Sequence, residues 1–284
     1  MDDSQILIVG AGGQLGTALQ AQYPGARAVD SEELDITDLD AVNSFDWSKT
    51  KVIINAAGYT NVDGAETPEG RIAAWRVNAR GAANLIHSAW HNNLTVIHIS
   101  TDYVFDGTQT SHTEDENFSP LSVYGASKAA GDLLVGQLDQ HYILRTSWVI
   151  GEGKNFVRTM LGLAEKGVNP SVVHDQIGRL TFTSELVRAI DHLLTTKAPF
   201  GTYNLTNDGN VVSWADVTRE IFKLAGVDNT VTNTTTAEYF ASKEGIALRP
   251  LQSTLDLGKI QATGFTSVDW KEDLAKYIQK EQNK

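Results

Sequence analysis

Gly10, Gly13 and Gly16 stand immediately after the apolar run Ile6–Val9 and open an amphipathic stretch over 15–22. A short buried strand, a glycine-rich turn and a helix in that order leave few folds open. The first glycine permits a tight turn, the second lets main chain approach a pyrophosphate, and the third lets the helix pack closely on the strand. Further β-type runs at 26–29, 51–55, 96–100 and 142–145 alternate with helical patterns at 39–45, 69–91 and 122–138. Such uniformly apolar runs between helices are the signature of strands covered on both faces. The fold class predicted is α/β: a Rossmann-like doubly wound parallel sheet that takes ligands at the carboxyl ends of its strands.

After Trp148 the rhythm loosens. Helices are predicted over 155–166, over 184–194 with Ser184 as its cap, over 213–224 behind Ser213, and over 267–279. Strand-like runs fall at 171–174 and 202–205, the second placed to rejoin the main sheet. The organisation expected is a dinucleotide-binding domain over 1–150, to which 182–206 returns. A smaller interleaved α/β substrate-binding domain is expected from 151–181 and 207–284.

A formal charge of −12 over 284 residues argues against a nucleic-acid partner, which requires a basic face. The chain has no cysteine, so disulfides and thiolate metal sites are excluded. The early apolar run is too short for an export signal or a membrane span, so a cytoplasmic location and no membrane partner are expected.

The cofactor reading extends from the glycine turn through Gln14 and Leu15, which begin the helix. Asp30 follows the second predicted strand, about twenty residues on, where an acid binds the adenosine ribose hydroxyls and disfavours a 2′-phosphate. An aspartate capping its own acidic loop is the alternative. Asp35 and Ile36 are placed to flank an adenine. Ala56, Ala57, Gly58, Tyr59 and Thr60 end the next strand, where small residues let a dinucleotide lie on the backbone. A nicotinamide cofactor, NADPH or NADH, is expected.

Tyr124 and Lys128 are one helical turn apart and share a face. A neighbouring ammonium stabilises tyrosinate, so the phenol is expected to be shifted towards working pH. Thr101 ends the preceding strand and supplies a hydroxyl to orient a carbonyl oxygen.

These motifs are similar to those of the extended short-chain dehydrogenase/reductase superfamily, and within it the chain most resembles the dTDP-4-dehydrorhamnose reductase family. The resemblance runs through Asn55-Ala-Ala, Thr60-x-Val62-Asp63, Val77-Asn78 and Ser100-Thr-Asp-Tyr-Val-Phe-Asp-Gly107. It continues in Pro120-Leu-x-Val-Tyr-Gly125, Arg145-Thr-Ser-Trp148, Asn155-Phe156, Asp175-Gln176 and Arg249-Pro250. It implies reduction of a C4 ketone on a dTDP-sugar, with Tyr124 as acid, Lys128 tuning it and Thr101 bonding the same oxygen. It also implies sugar contacts from Asp102, Trp148, Val62 and Phe105, and a diphosphate contact from Arg249, for which a structural ion pair is the competing reading. A 3,5-epimerase is implied as the pathway neighbour, separate or fused. The protein is expected as a monomer or homodimer. Some relatives dimerise through Mg2+, for which Glu185 is the candidate here; no other metal ligand is expected.

Dehydratases on this scaffold place a glutamate where this chain has Tyr103, and epimerase-reductases need a cysteine. Ketone reduction is the chemistry left. The alternative is a non-catalytic nucleotide-binding subunit, such as the regulatory partner of methionine adenosyltransferase. The intact Thr101, Tyr124 and Lys128 set argues against it.

Overall fold

The computed structural model describes residues 2–283. In chain order the first half comprises β1 (Ile6–Val9), α1 (Gln14–Gln22), β2 (Arg27–Val29), α2 (Leu39–Ser44), β3 (Val52–Asn55), α3 (Pro68–Trp75), α4 (Ala82–Asn92), β4 (Thr95–Thr101), α5 (Val123–Val135) and β5 (His141–Thr146). The second half comprises β6 (Val149–Ile150), α6 (Phe156–Glu165), β7 (Ser171–Val173), β8 (Ile177–Gly178), β9 (Thr181–Phe182), α7 (Thr183–Thr196) and β10 (Gly201–Asn204). β11 (Val212–Ser213), α8 (Trp214–Ala225), β12 (Thr232–Thr234), α9 (Thr236–Phe240), α10 (Gly258–Gln261) and α11 (Trp270–Gln282) follow.

Six strands form one parallel sheet in the order β10-β5-β4-β3-β1-β2. Alternate residues of each central strand feed opposite layers. Ile6, Ile8, Val52, Ile54 and Ile97 pack against Leu15 and Leu19 of α1 and Leu186, Ile190 and Leu193 of α7. Leu7, Val9, Ile53, Val96 and Ile143 pack against Val42, Leu85, Ala89 and Val135 on the other face. Both faces are dry, which is why these strands read as continuous apolar runs and not as alternating ones. A further core joins α6, α8 and α11 through Val157, Met160, Ile221, Phe222, Trp270, Leu274 and Ile278. No helix among the described residues is long and apolar enough to cross a membrane.

Three local expectations change. The helix predicted over 69–91 is interrupted by a π-helical turn, Arg76–Gly81, between α3 and α4. Ser184 does not cap α7: β9 runs straight into the helix, whose N-cap is Phe182 with no side-chain bond. The last helix begins at Trp270 under an Asp269 cap. Residues 267–268 stay extended because Val268 bonds the Asp208 amide and the Glu185 carboxylate.

Candidate active site

Strand order reverses between β1 and β3, so their carboxyl ends open a crevice at that switch point. Gly10 sits at φ +86°, and a methyl group there would lie 2.6 Å from the Ala57 amide nitrogen. At Gly16 it would lie 2.1 Å from the Gly10 carbonyl oxygen. Both glycines are therefore required by the turn itself. Gly13 caps α1 without a side-chain bond, so the leading N–H groups of the helix face open space. That is a cradle of the kind a pyrophosphate fills. Gln14 ties the turn to the second half through Gly151, whose amide donates to Oε1 at 2.8 Å.

A cavity of about 380 Å3 brings Gly13, Gln14, Leu15, Ala56, Ala57, Gly58 and Thr60 together with Val62, Thr101, Asp102, Tyr124, Lys128 and Trp148. Gly10, Gly16, Asp30, Asp35, Ile36 and Tyr59 lie outside it. Asp30 is exposed beyond β2, where its Oδ1 accepts the Glu32 amide at 3.0 Å. Asp35 accepts the Thr37 amide and hydroxyl at 2.9 and 2.7 Å and stands 3.5 Å from Arg76; these contacts, the Thr37 bonds foremost, hold its carboxyl below the usual range. Ile36 does not flank an open site but is buried in the core against Gly81. The Tyr59 backbone is clamped by Asn78 through bonds of 2.8 and 3.1 Å.

Helix α5 starts at Ser122, whose hydroxyl caps the Gly125 amide at 3.1 Å. Its inward face carries Tyr124, Lys128 and Asp132 at successive turns. The Lys128 Nζ donates to the Ile99 carbonyl at 2.6 Å and lies 3.4 Å from His98 Nε2. Asn55 Nδ2 stands 3.1 Å from His98 Nδ1. Beneath them, Asp132 Oδ2 accepts from Arg145 Nε at 3.0 Å, and Asp132 Oδ1 is 3.9 Å from His98 Nε2. Thr101 ends β4, donating to Asp102 Oδ1 at 3.0 Å and accepting the Tyr103 amide at 3.2 Å.

Burial dominates the electrostatics here. It pulls the Lys128 ammonium down to about 8, with Asp132 opposing. Burial also pushes the Asp102 carboxyl up to about 6, which hydrogen bonds from Ser253 and Thr101 only partly offset. His98 is held well below the usual imidazole range by burial and then by Lys128. The expected depression of the Tyr124 phenol is not what the structure gives. Burial raises it, Thr101 opposes, and the negative charges of Asp102 and Asp132 add to the rise. The physical reason is burial of the phenol, which outweighs the Thr101 hydrogen bond. Thr146 Oγ1, from a residue lining the cavity, is buried without a hydrogen-bond partner. Such an orphan group marks a place for a polar ligand.

Trp148 faces the cavity in a left-handed backbone conformation, φ 50°. Two other substrate candidates lie elsewhere. Phe105 is fully buried, stacked on His112 at 4.7 Å and 2° in a cluster with Val104, Ala129 and Leu255. Arg249 forms a two-pronged ion pair with Asp63, 2.8 Å to each carboxylate oxygen, so the structural-pair reading describes it. It lines a separate cavity of about 250 Å3 with Phe156, Trp214, Tyr239 and Phe240. Glu185 does not fit a magnesium site. It is buried, 2.5 Å from Arg188 and bonded by the Val268 amide. No group of three or more His, Asp or Glu able to hold a metal occurs among the described residues.

The family described as RmlD substrate binding domain matches this sequence over residues 4–283. The chain belongs to that family. A dTDP-4-dehydrorhamnose reductase of Aggregatibacter actinomycetemcomitans is 41% identical over 293 residues, covering 95% of this chain and 97% of its own. The crystal structure of a dTDP-4-dehydrorhamnose reductase from Clostridium acetobutylicum superposes with a TM-score of 0.91 at 39% identity, covering 98% of this chain and 99% of the other. That of the Bacillus anthracis enzyme, in complex with NADP, gives 0.89 at 34%, covering 97% and 98%.

For this family member the cavity also brings in residues to which the sequence reading gave no role. Ile99, Ser100, Tyr103, Thr146, Ser147, Val149 and Leu186 complete its wall. His98, Asp132 and Arg145 form its buried underside. Asp132 carried a readable signal, since it extends the Tyr124–Lys128 spacing by one more turn. His98 carried none: an isolated histidine in an apolar strand reads as core. Arg179 donates to the Leu255 carbonyl at 2.6 Å and stands 3.4 Å from Asp208, fixing a loop.

Proposed function

We propose that this protein is a dTDP-4-dehydrorhamnose reductase, reducing the C4 ketone of dTDP-4-dehydro-L-rhamnose to dTDP-L-rhamnose with NADPH or NADH. The observation that carries the reading is the meeting, in one cavity, of Tyr124, Lys128 and Thr101 with the open N-terminus of α1 and the small-residue wall Ala56–Ala57–Gly58. The family relationship supports the same reaction.

Gly13, Gln14 and Leu15 hold the pyrophosphate of the dinucleotide, with Gly10 and Gly16 shaping the turn and Ala56, Ala57, Gly58 and Thr60 lying alongside. Reduced nicotinamide, when bound, supplies the hydride. The chain's own work is at the sugar oxygen. Tyr124 gives its hydroxyl proton to the oxygen on C4, and its raised pKa keeps that proton in place at neutral pH, as an acid requires. Lys128 is charged below about 8 and compensates the tyrosinate left behind. Thr101 turns its hydroxyl from Asp102 to the ketone, while Asp102, Val62 and Trp148 bound the sugar. Asp30 disfavours a 2′-phosphate, whereas the Bacillus anthracis relative is in complex with NADP; the cofactor pair is therefore compared directly in the test. The substrate comes from a 3,5-epimerase, and the product serves cell-surface polysaccharide synthesis.

The experiment is product analysis after incubation with the 4-keto sugar nucleotide and each reduced nicotinamide in turn. dTDP-L-rhamnose formed in step with nicotinamide oxidation is expected. Cofactor binding with no product from any dTDP-sugar would instead identify a regulatory nucleotide-binding subunit.

A further inference from the structure

Trp148 holds a backbone conformation that bulky residues seldom adopt, φ 50°, at the wall of the catalytic cavity. Something must over-determine it. The Trp148 carbonyl accepts the Thr181 amide at 3.2 Å, which fixes the main chain. The indole is held from two sides. One face stacks on Trp214, ring centroids 3.8 Å apart and 19° from parallel. The other contact is Gly178, where an added methyl would stand 3.1 Å from Cζ2 and 3.2 Å from Cε2 of Trp148. Gly178 and Trp214 are brought together by the antiparallel β8–β11 pair, in which Val212 faces Gly178 and Ser213 faces Ile177. Trp214 is itself fixed as the first residue of α8, behind the reciprocal Ser213–Asp216 cap, with Phe156 at 4.3 Å.

Trp148 lines the catalytic cavity and Trp214 lines the neighbouring 250 Å3 cavity, so the stacked pair is the partition between them. From this we infer that Trp214 is a positioning residue. By stacking on Trp148 it holds that indole, against its backbone preference, at the distance from Tyr124 that admits the sugar ring. The inference rests on the reductase reading and deepens it: Trp214 governs sugar-nucleotide binding without lying in the catalytic cavity. Removing Trp214 lets Trp148 relax and leaves the dinucleotide turn at Gly13–Leu15 untouched.

The test uses the full chain and the variants Trp214→Ala, Trp214→Phe and Gly178→Ala. KM for the 4-keto sugar nucleotide and KM for the nicotinamide are measured separately, with circular dichroism of the ligand-free proteins. Stacked indoles couple their transitions, so the wild-type spectrum should carry a paired band that Trp214→Ala loses. Trp214→Ala should raise the sugar-nucleotide KM about tenfold or more, change kcat less, and leave the nicotinamide KM alone. Trp214→Phe keeps a stacking face and should recover most of the loss. Gly178→Ala presses a methyl group on Cζ2 and Cε2 of the indole and should raise the same KM. An unchanged sugar-nucleotide KM in Trp214→Ala overturns the inference. So does a joint loss in both KM values and kcat that Trp214→Phe does not rescue, since that is general destabilisation. Wild-type protein inactive on the substrate would refute the reductase reading, and the inference with it; active wild type with an unaffected Trp214→Ala refutes the inference alone.

Discussion

Asp132→Asn removes a carboxylate from directly beneath the catalytic cavity, and its consequences can be worked in two currencies. The Asp132 and Arg145 side chains are 1% and 5% exposed and meet at 3.0 Å. Loss of the carboxylate leaves the buried guanidinium without a counter-charge, held by the Glu114 carbonyl at 2.9 Å and the Phe105 and Phe118 rings. Breaking a buried pair from one side costs about 3–5 kcal/mol. The second effect is on Lys128, which burial brings to about 8 while Asp132 opposes the fall. Without that negative charge the Lys128 pKa drops further; His98 Nε2, 3.4 Å from the ammonium, is held neutral by burial. The sign follows directly. Lys128 is charged below its pKa, so wild-type turnover should fall as pH rises through about 8. In Asp132→Asn that fall should come at lower pH. Stability moves oppositely in the wild type: between about 8 and the ordinary 10.5 the unfolded chain binds the extra proton, so the Lys128 contribution to stability grows with pH across that window. Initial rates at saturating substrate across the neutral to alkaline range, with thermal melts at each pH, check both. An alkaline limb that stays where it was would refute the coupling of Asp132 to Lys128.

Two further outcomes are expected. Gly16→Ala places a methyl 2.1 Å from the Gly10 carbonyl oxygen, so the turn must open; fluorescence titration should show nicotinamide dinucleotide binding weakened by about tenfold or more, and unchanged affinity would contradict the packing argument. Chelation by EDTA should leave both turnover and sedimentation behaviour unaltered, because the Glu185 carboxylate is committed to Arg188 and the Val268 amide; loss of activity restored by Mg2+ would contradict that assignment.

What was readable in the sequence is what local geometry dictates. The strand, glycine turn and helix at 6–22 need no distant partner to be recognised, and the runs read at 51–55 and 96–100 fall on β3 and β4, buried on both faces. The Tyr124–Lys128 face follows from helical periodicity alone. What escaped depends on residues far apart in the chain. The burial of Phe105 is set by His112 and by Leu255. The commitment of Arg249 is set by Asp63, on the far side of the sheet connections. The direction of Lys128 depends on the Ile99 carbonyl of β4 and on a buried histidine. The start of the last helix was displaced because Val268 has backbone bonds to make first. Periodicity places a side chain on a face; only tertiary packing decides what it touches there.

The most direct test of the account is single-turnover reduction of the 4-keto sugar nucleotide by Tyr124→Phe, followed by nicotinamide absorbance. The ring and its edge-on contact with Tyr103 at 5.5 Å are kept, and only the proton is lost. Binding of both ligands should persist while the rate falls by about two to four orders of magnitude, the range set by loss of a general acid. A variant that reduces the ketone at the wild-type rate would show that the proton comes from elsewhere.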